Sequence, residues 1–221
     1  SRMKITYYGI VHKNSIRYNS GMYSNKFSRR RYFHSTLRVI CARRIIDIGS
    51  GIIAFSNYSH GYFHWLYETF PYIMKTIKND ESIFLPCSHN GFHKQFLDMC
   101  NISYVFFQKD EILSSRGSII DLNVYKAFDW PAIAMMKKRV FDALNVFEDS
   151  QSLKVFVLRN ARMRRLINQD EITVFLKTRG WVCFDPVGKT LKEQVEIFSK
   201  AEVVCSIHGA AAAVGDAMAA M

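Results

Sequence analysis

Between residues 52 and 107 the chain alternates short apolar runs with longer stretches whose apolar residues recur every three or four positions. The runs at 52–55, 82–85 and 102–107 predict strands, and the stretches 60–78 and 92–100 predict helices. Ahead of them, up to about Gly51, the pattern is one of short strands and basic loops, including the run Arg29-Arg30-Arg31. Two weaker strands fall within 112–125. Pro131 then sits well in the first turn of a helix whose apolar positions are Met135, Val140, Leu144 and Phe147. The polar segment 148–152 breaks this pattern and predicts a domain boundary, giving domains 1–150 and 151–221.

The second half repeats the alternation. A buried strand at 153–158 is followed by a helix opening on Asn168-x-x-Glu171, a capping-box spacing, and closing at Gly180. A strand at 181–184, a second capping box at Thr190-x-x-Glu193 and a strand at 202–207 complete the series. Strand, helix, strand, helix, strand is half of a Rossmann-type parallel sheet, so the predicted fold class is α/β.

With 221 residues, 49% hydrophobic and 22% charged, the chain has enough apolar content for a substantial core, in one large domain or two small ones. The net charge of +11 implies an anionic partner: a nucleic acid, a membrane surface or a phosphorylated small molecule. The five cysteines, Cys41, Cys87, Cys100, Cys183 and Cys205, form no C-x-x-C pair, which argues against a disulfide framework and a zinc ribbon. The uncharged window 48–67 is interrupted by Gly, Ser, Asn and His and makes a poor bilayer span. No signal peptide is visible, although the opening Ser-Arg-Met leaves room for a missing native terminus that carried one.

Three groups of polar residues stand out. In NYSHGYFHWLYETFP a helix capped at Ser59 would place Phe63, Leu66, Tyr67, Phe70, Ile73, Met74 and Ile77 on one apolar face. His60, His64 and Glu68 would form a polar stripe beside it, and Pro71 would kink the helix just beyond Glu68. The His60/His64 pair has metal-ligand spacing, but a third ligand at Glu68 would lie about 12 Å from the first along the axis, too far to share an ion. Each histidine taken alone is compatible with a structural hydrogen-bonding role. Imidazole next to carboxylate is also how a general base is held and tuned.

The second group is Arg159, Arg162, Arg164 and Arg165, which follow a parallel strand where phosphates bind in such sheets. A basic solvated loop and a nucleic-acid patch are the competing readings. The third is SIHGAA, again directly after a strand, where the amides near His208 and Gly209 suit a diphosphate.

Together these residues resemble glycosyltransferase family 61, which includes capsular polysaccharide biosynthesis proteins and xylosyl- and N-acetylglucosaminyltransferases. The family's Asn ahead of His-Trp-x-x-Glu/Asp-x-x-Pro is matched by Asn57, His64, Trp65, Glu68 and Pro71. Its arginine cluster with Asn-Glu is matched by Arg159, Arg162, Arg164, Arg165, Asn168 and, loosely, Glu171. Its Glu-Gln run and His-Gly-Ala strand end are matched by Glu193, Gln194, Ala201, His208, Gly209 and Ala210. The family usually continues Gly-Leu-Thr-Asn. This chain has Ala211, Ala212, Ala213 and Val214 instead, so the second domain is expected to be incomplete at its C-terminus.

The resemblance implies a GT-B-like pair of Rossmann-type domains with the active site in the cleft between them. It implies inverting transfer from a nucleotide sugar to a glycan or polysaccharide hydroxyl, with no cofactor and no metal. Glu68 would be the base, oriented by His64, with Asn57, His60 and Trp65 on the acceptor side. The four arginines and His208, Gly209 and Ala210 would hold the donor. The compartment would be cytoplasmic or membrane-peripheral on an anionic surface in a bacterium, or the ER/Golgi lumen in a eukaryote with a missing anchor. A basic nucleic-acid-binding module and a catalytically inactive family member are the alternatives.

Overall fold

The computed structural model describes residues 3–6, 11–13, 16–18, 37, 39, 44–49, 51–54, 59–78, 81–86, 91–115, 128–147, 152–159 and 166–207. The chain divides into two compact units, Ser1–Met136 and Lys137–Met221. Both mix helices with small sheets, so the α/β class holds.

The first unit carries two sheets. Strands β1 (Met3–Thr6), β2 (Val11–Lys13) and β3 (Ile16–Tyr18) form an antiparallel meander. Strand β4 (Arg44–Gly49) pairs in parallel with β8 (Glu111–Ser115), which pairs antiparallel with β1, giving the order β3-β2-β1-β8-β4. Strands β5 (Ile52–Ile53), β6 (Ile83–Pro86) and β7 (Tyr104–Phe107) form a parallel sheet in sequence order. Gly51 makes the turn from β4 into β5, its N–H donating to the Ile48 carbonyl at 2.9 Å. A Cβ there would run into the Phe84 ring, so the sheet's side chains close only over a glycine.

The helical stretch after β5 differs from the predicted single helix. It starts as α1 (Tyr62–His64), with Gly61 rather than Ser59 at the N-cap and no side-chain cap. It then widens into a π turn (Trp65–Thr69) and continues as α2 (Phe70–Thr76). The predicted kink is therefore a widened turn, and proline accounts for it. Pro71 has no N–H to close an α-type bond, and the Phe70 N–H reaches back five residues to the Trp65 carbonyl. The extra residue shifts the buried face. Trp65, Leu66, Tyr67 and Phe70 are all enclosed, while Phe63, predicted to be core, stays exposed. Helix α3 (Phe92–Met99) packs Phe96 and Leu97 into the same core.

Helix α4 (Trp130–Leu144) spans the division between units and keeps Pro131 in its first turn. Beyond it lie β9 (Leu153–Val157), α5 (Gln169–Lys177), β10 (Trp181–Phe184), α6 (Leu191–Phe198) and β11 (Ala201–Ser206). All three strands are parallel, in the order β10-β9-β11. Gly180, at φ 77°, takes the left-handed conformation that ends α5. The capping box at Thr190 forms, and the one at Asn168 does not. Asn168 stands at φ −106°, ψ 35°, outside the extended geometry that a capping side chain needs. No helix among the described residues is long and apolar enough to cross a membrane.

Candidate functional site

His64 ends α1 and Glu68 lies in the π turn that follows, four residues on. The His64 imidazole Nδ1 donates to Glu68 Oε2 at 2.8 Å. The two side chains are 34% and 14% exposed, so the pair sits at the surface of the first unit with its carboxylate mostly shielded. An ionised carboxylate only accepts hydrogen bonds, which fixes the imidazole proton on Nδ1 and holds both groups in one orientation. Such a pair can take a proton from a hydroxyl brought against it.

The enclosed neighbours explain how the pair is held. Trp65, expected on the acceptor side, is 0% exposed. Its indole stacks on Phe70 with ring centroids 5.4 Å apart and meets His93 edge to face at 4.7 Å. In this arrangement it anchors the helical stretch, packed between Phe70 and His93 of α3. His93 itself was not singled out in the sequence. It is buried on α3, its Nε2 lies 2.9 Å from the Ser59 carbonyl, and this bond ties down the segment leading into α1. Burial, with a smaller contribution from the neighbouring His60 and against the opposing effect of the Ser59 hydrogen bond, pushes the His93 pKa down to about 4. His60 is exposed in the turn before α1. Tyr62 packs edge to face on Phe92 at 4.5 Å, and burial raises its hydroxyl pKa. Asn57 lies outside the described residues.

Beside the pair a group of rings reaches the surface. Phe63 stacks on Tyr67 at 4.9 Å and meets Phe128 edge to face at 5.9 Å, and Trp130 meets Phe128 at 5.8 Å. Asp129, between the last two, accepts from the Ala132 N–H at 3.1 Å, capping α4, and from Lys75 of α2 at 2.7 Å. That shared hydrogen bond raises the Lys75 pKa and lowers that of Asp129, so each keeps the other charged. Sequence periodicity had marked this region only as the start of a helix.

In the second unit Arg159 lies two residues beyond β9, partly buried. Its N–H donates at 3.0 Å to Oε1 of Gln169, a buried residue in the first turn of α5. Ser206 of β11 pairs with Val157 of β9, so the chain leaves these two strands side by side, about 4.8 Å apart. With β9 central, the crevice where strand order reverses opens between β9 and β11, the usual ligand position in such sheets. Arg159 is at one lip and Ile207 at the other; in sequence, His208, Gly209 and Ala210 follow Ile207. Those three residues, with Arg162, Arg164 and Arg165, lie outside the described residues. Among the described residues no group of three or more His, Cys, Asp or Glu side chains is placed to hold a metal ion.

The sequence model of one family, described as Glycosyltransferase 61, matches residues 62–220. That span begins at Tyr62, takes in His64, Trp65 and Glu68, and covers the three strands of the second unit. The comparison with curated proteins gives no match.

Proposed function

The chain belongs to the Glycosyltransferase 61 family and is a glycosyltransferase, acting in general on a nucleotide-sugar donor and a glycan acceptor; from this premise we propose an inverting, metal-independent transfer in which His64 and Glu68 form the base. The observation that carries it is the 2.8 Å Nδ1–Oε2 contact on the helical stretch after β5. An acceptor hydroxyl gives its proton to Glu68 as its oxygen bonds the anomeric carbon. The bond from that carbon to the donor's diphosphate breaks, and the electron pair leaves on the diphosphate. His64 orients the carboxylate. Arg159, with Arg162, Arg164 and Arg165, and the amides around His208, Gly209 and Ala210 offset the charge left on the diphosphate, the task a metal would otherwise perform. On this reading the two units are the Rossmann-type halves of a GT-B-like enzyme, the first activating the acceptor and the second holding the donor.

A second reading reverses the roles. The imidazole is the more exposed partner, which favours His64 as the group meeting the hydroxyl, with Glu68 orienting it. Substitutions separate the two. Glu68→Gln keeps shape and hydrogen bonding but cannot take the proton, and is expected to cut turnover by about 10² to 10⁴-fold with nucleotide affinity unchanged. His64→Ala should then show the smaller loss, read as nucleoside diphosphate released in the presence of acceptor. Near-normal turnover in Glu68→Gln with none in His64→Ala would make His64 the base. Near-normal turnover in both would remove the pair from the chemistry.

A further inference from the structure

We propose that the exposed rings of Phe63, Phe128 and Trp130 form a stacking platform for the acceptor's pyranose ring, beside the His64–Glu68 pair; the inference rests on reading that pair as the acceptor-activating base. The three rings are 36%, 37% and 55% exposed, and each lies within 6 Å of another in the group. Water-exposed aromatic rings gathered in one place mark an interaction surface. The fully enclosed Tyr67 forms the floor, 5.2 Å from Phe128 and 6.5 Å from Trp130. The platform is also fixed in place. Asp129 is held by the Ala132 N–H and by Lys75, which sets Phe128 and Trp130 on either side of it.

The chemistry of the border selects the occupant. Phe63 meets the His64 ring edge to face at 5.4 Å, so the apolar surface runs directly into the proton-accepting pair. A pyranose has one face of C–H groups and a rim of hydroxyls. Its C–H face covers aromatic carbon while a rim hydroxyl reaches the polar groups beyond. A nucleobase would also stack on such rings, but the cationic cluster assigned to its diphosphate belongs to the second unit, whereas Phe63 of the platform shares its helical stretch with the base. A lipid chain would need a longer apolar track than three rings edged by His64, Glu68 and Asp129.

The test uses the whole chain and saturation-transfer NMR with methyl β-xylopyranoside, methyl β-glucopyranoside and methyl β-N-acetylglucosaminide. At least one should receive saturation on its ring C–H protons. Trp130→Ala and Phe128→Leu should weaken that binding about three- to tenfold, the scale of one aromatic contact, and Trp130→Tyr should restore most of it. UDP and GDP affinities, measured in parallel, should be unchanged in all three variants. Absence of saturation in all three glycosides overturns the proposal, as does equal saturation in the folded Ala and Leu variants. Loss of UDP or GDP binding in Trp130→Ala would assign the rings to a nucleobase and overturn it too, as would loss of binding to anionic phospholipid vesicles, which would assign them to a membrane. Glu68→Gln separates this inference from its premise. Glycoside binding that survives in Glu68→Gln and falls in Trp130→Ala supports the platform even where Glu68→Gln turns over normally, in which case only the base assignment fails. Lost turnover in Glu68→Gln with unaltered glycoside binding in Trp130→Ala overturns the platform alone.

Discussion

At the scale of single residues, His93 carries a cost that depends on pH. Its folded-state pKa of about 4 lies below the ordinary 6.5, because burial disfavours the charged ring. As pH falls through about 6.5 the unfolded chain takes up this proton first, so stability is complete above that value and declines until about pH 4. The loss reaches roughly 3 kcal/mol for this one group. His93→Gln keeps a donor for the Ser59 carbonyl and removes the titration, so urea unfolding should show a flatter dependence over this window than the wild type. An equal slope in both proteins would place the dependence elsewhere. The sequence made His64 and Glu68 visible because four-residue spacing is local and survives whatever the rest of the fold does. It could not expose His93 or the inward turn of Trp65. Both depend on packing between residues distant in the chain, 34 positions apart in the case of His93 and Ser59.

Among the elements, two capping signatures with the same spacing have different outcomes. Thr190 Oγ1 accepts from the Glu193 N–H at 3.2 Å, and Glu193 Oε2 accepts from the Thr190 N–H at 2.8 Å. The Thr190 N–H, with smaller contributions from the Thr190 hydroxyl and Lys189, lowers the Glu193 pKa. At α5 no cap bond forms, and the next residue, Gln169, instead accepts from the N–H of Arg159, two residues beyond β9. Thr190→Ala is therefore expected to cost about 1 kcal/mol of stability, and Asn168→Ala only a few tenths. Thermal unfolding of the two variants decides this, and equal losses would refute it. Strand and helix positions were legible because hydrophobic periodicity sets them. The π turn was not, since Pro71 announces a missing N–H without saying whether the helix bends or widens.

For the whole molecule, the alternation of element types was enough to give the α/β class, and three parallel strands in the second unit agree with it. Strand order was not legible, because periodicity says which segments are strands and nothing about which neighbours they choose. Charge belongs to this scale as well. With a net charge of +11 and an arginine cluster at the proposed diphosphate site, transfer should persist in EDTA. Activity abolished by EDTA and restored by manganese would show that a cation performs that task. The central position of β9 also has a consequence in time. Strands β10 and β11 both pair with β9 and not with each other, so a ribosome that has delivered β10 has given β9 only one neighbour. Val155, Phe156 and Val157, buried in the finished sheet, keep an open edge until the chain through Ser206 has emerged. Pairing on both sides of β9 thus waits on β11, and during synthesis β9 presents an unpaired apolar edge of the kind that chaperones hold and aggregates recruit.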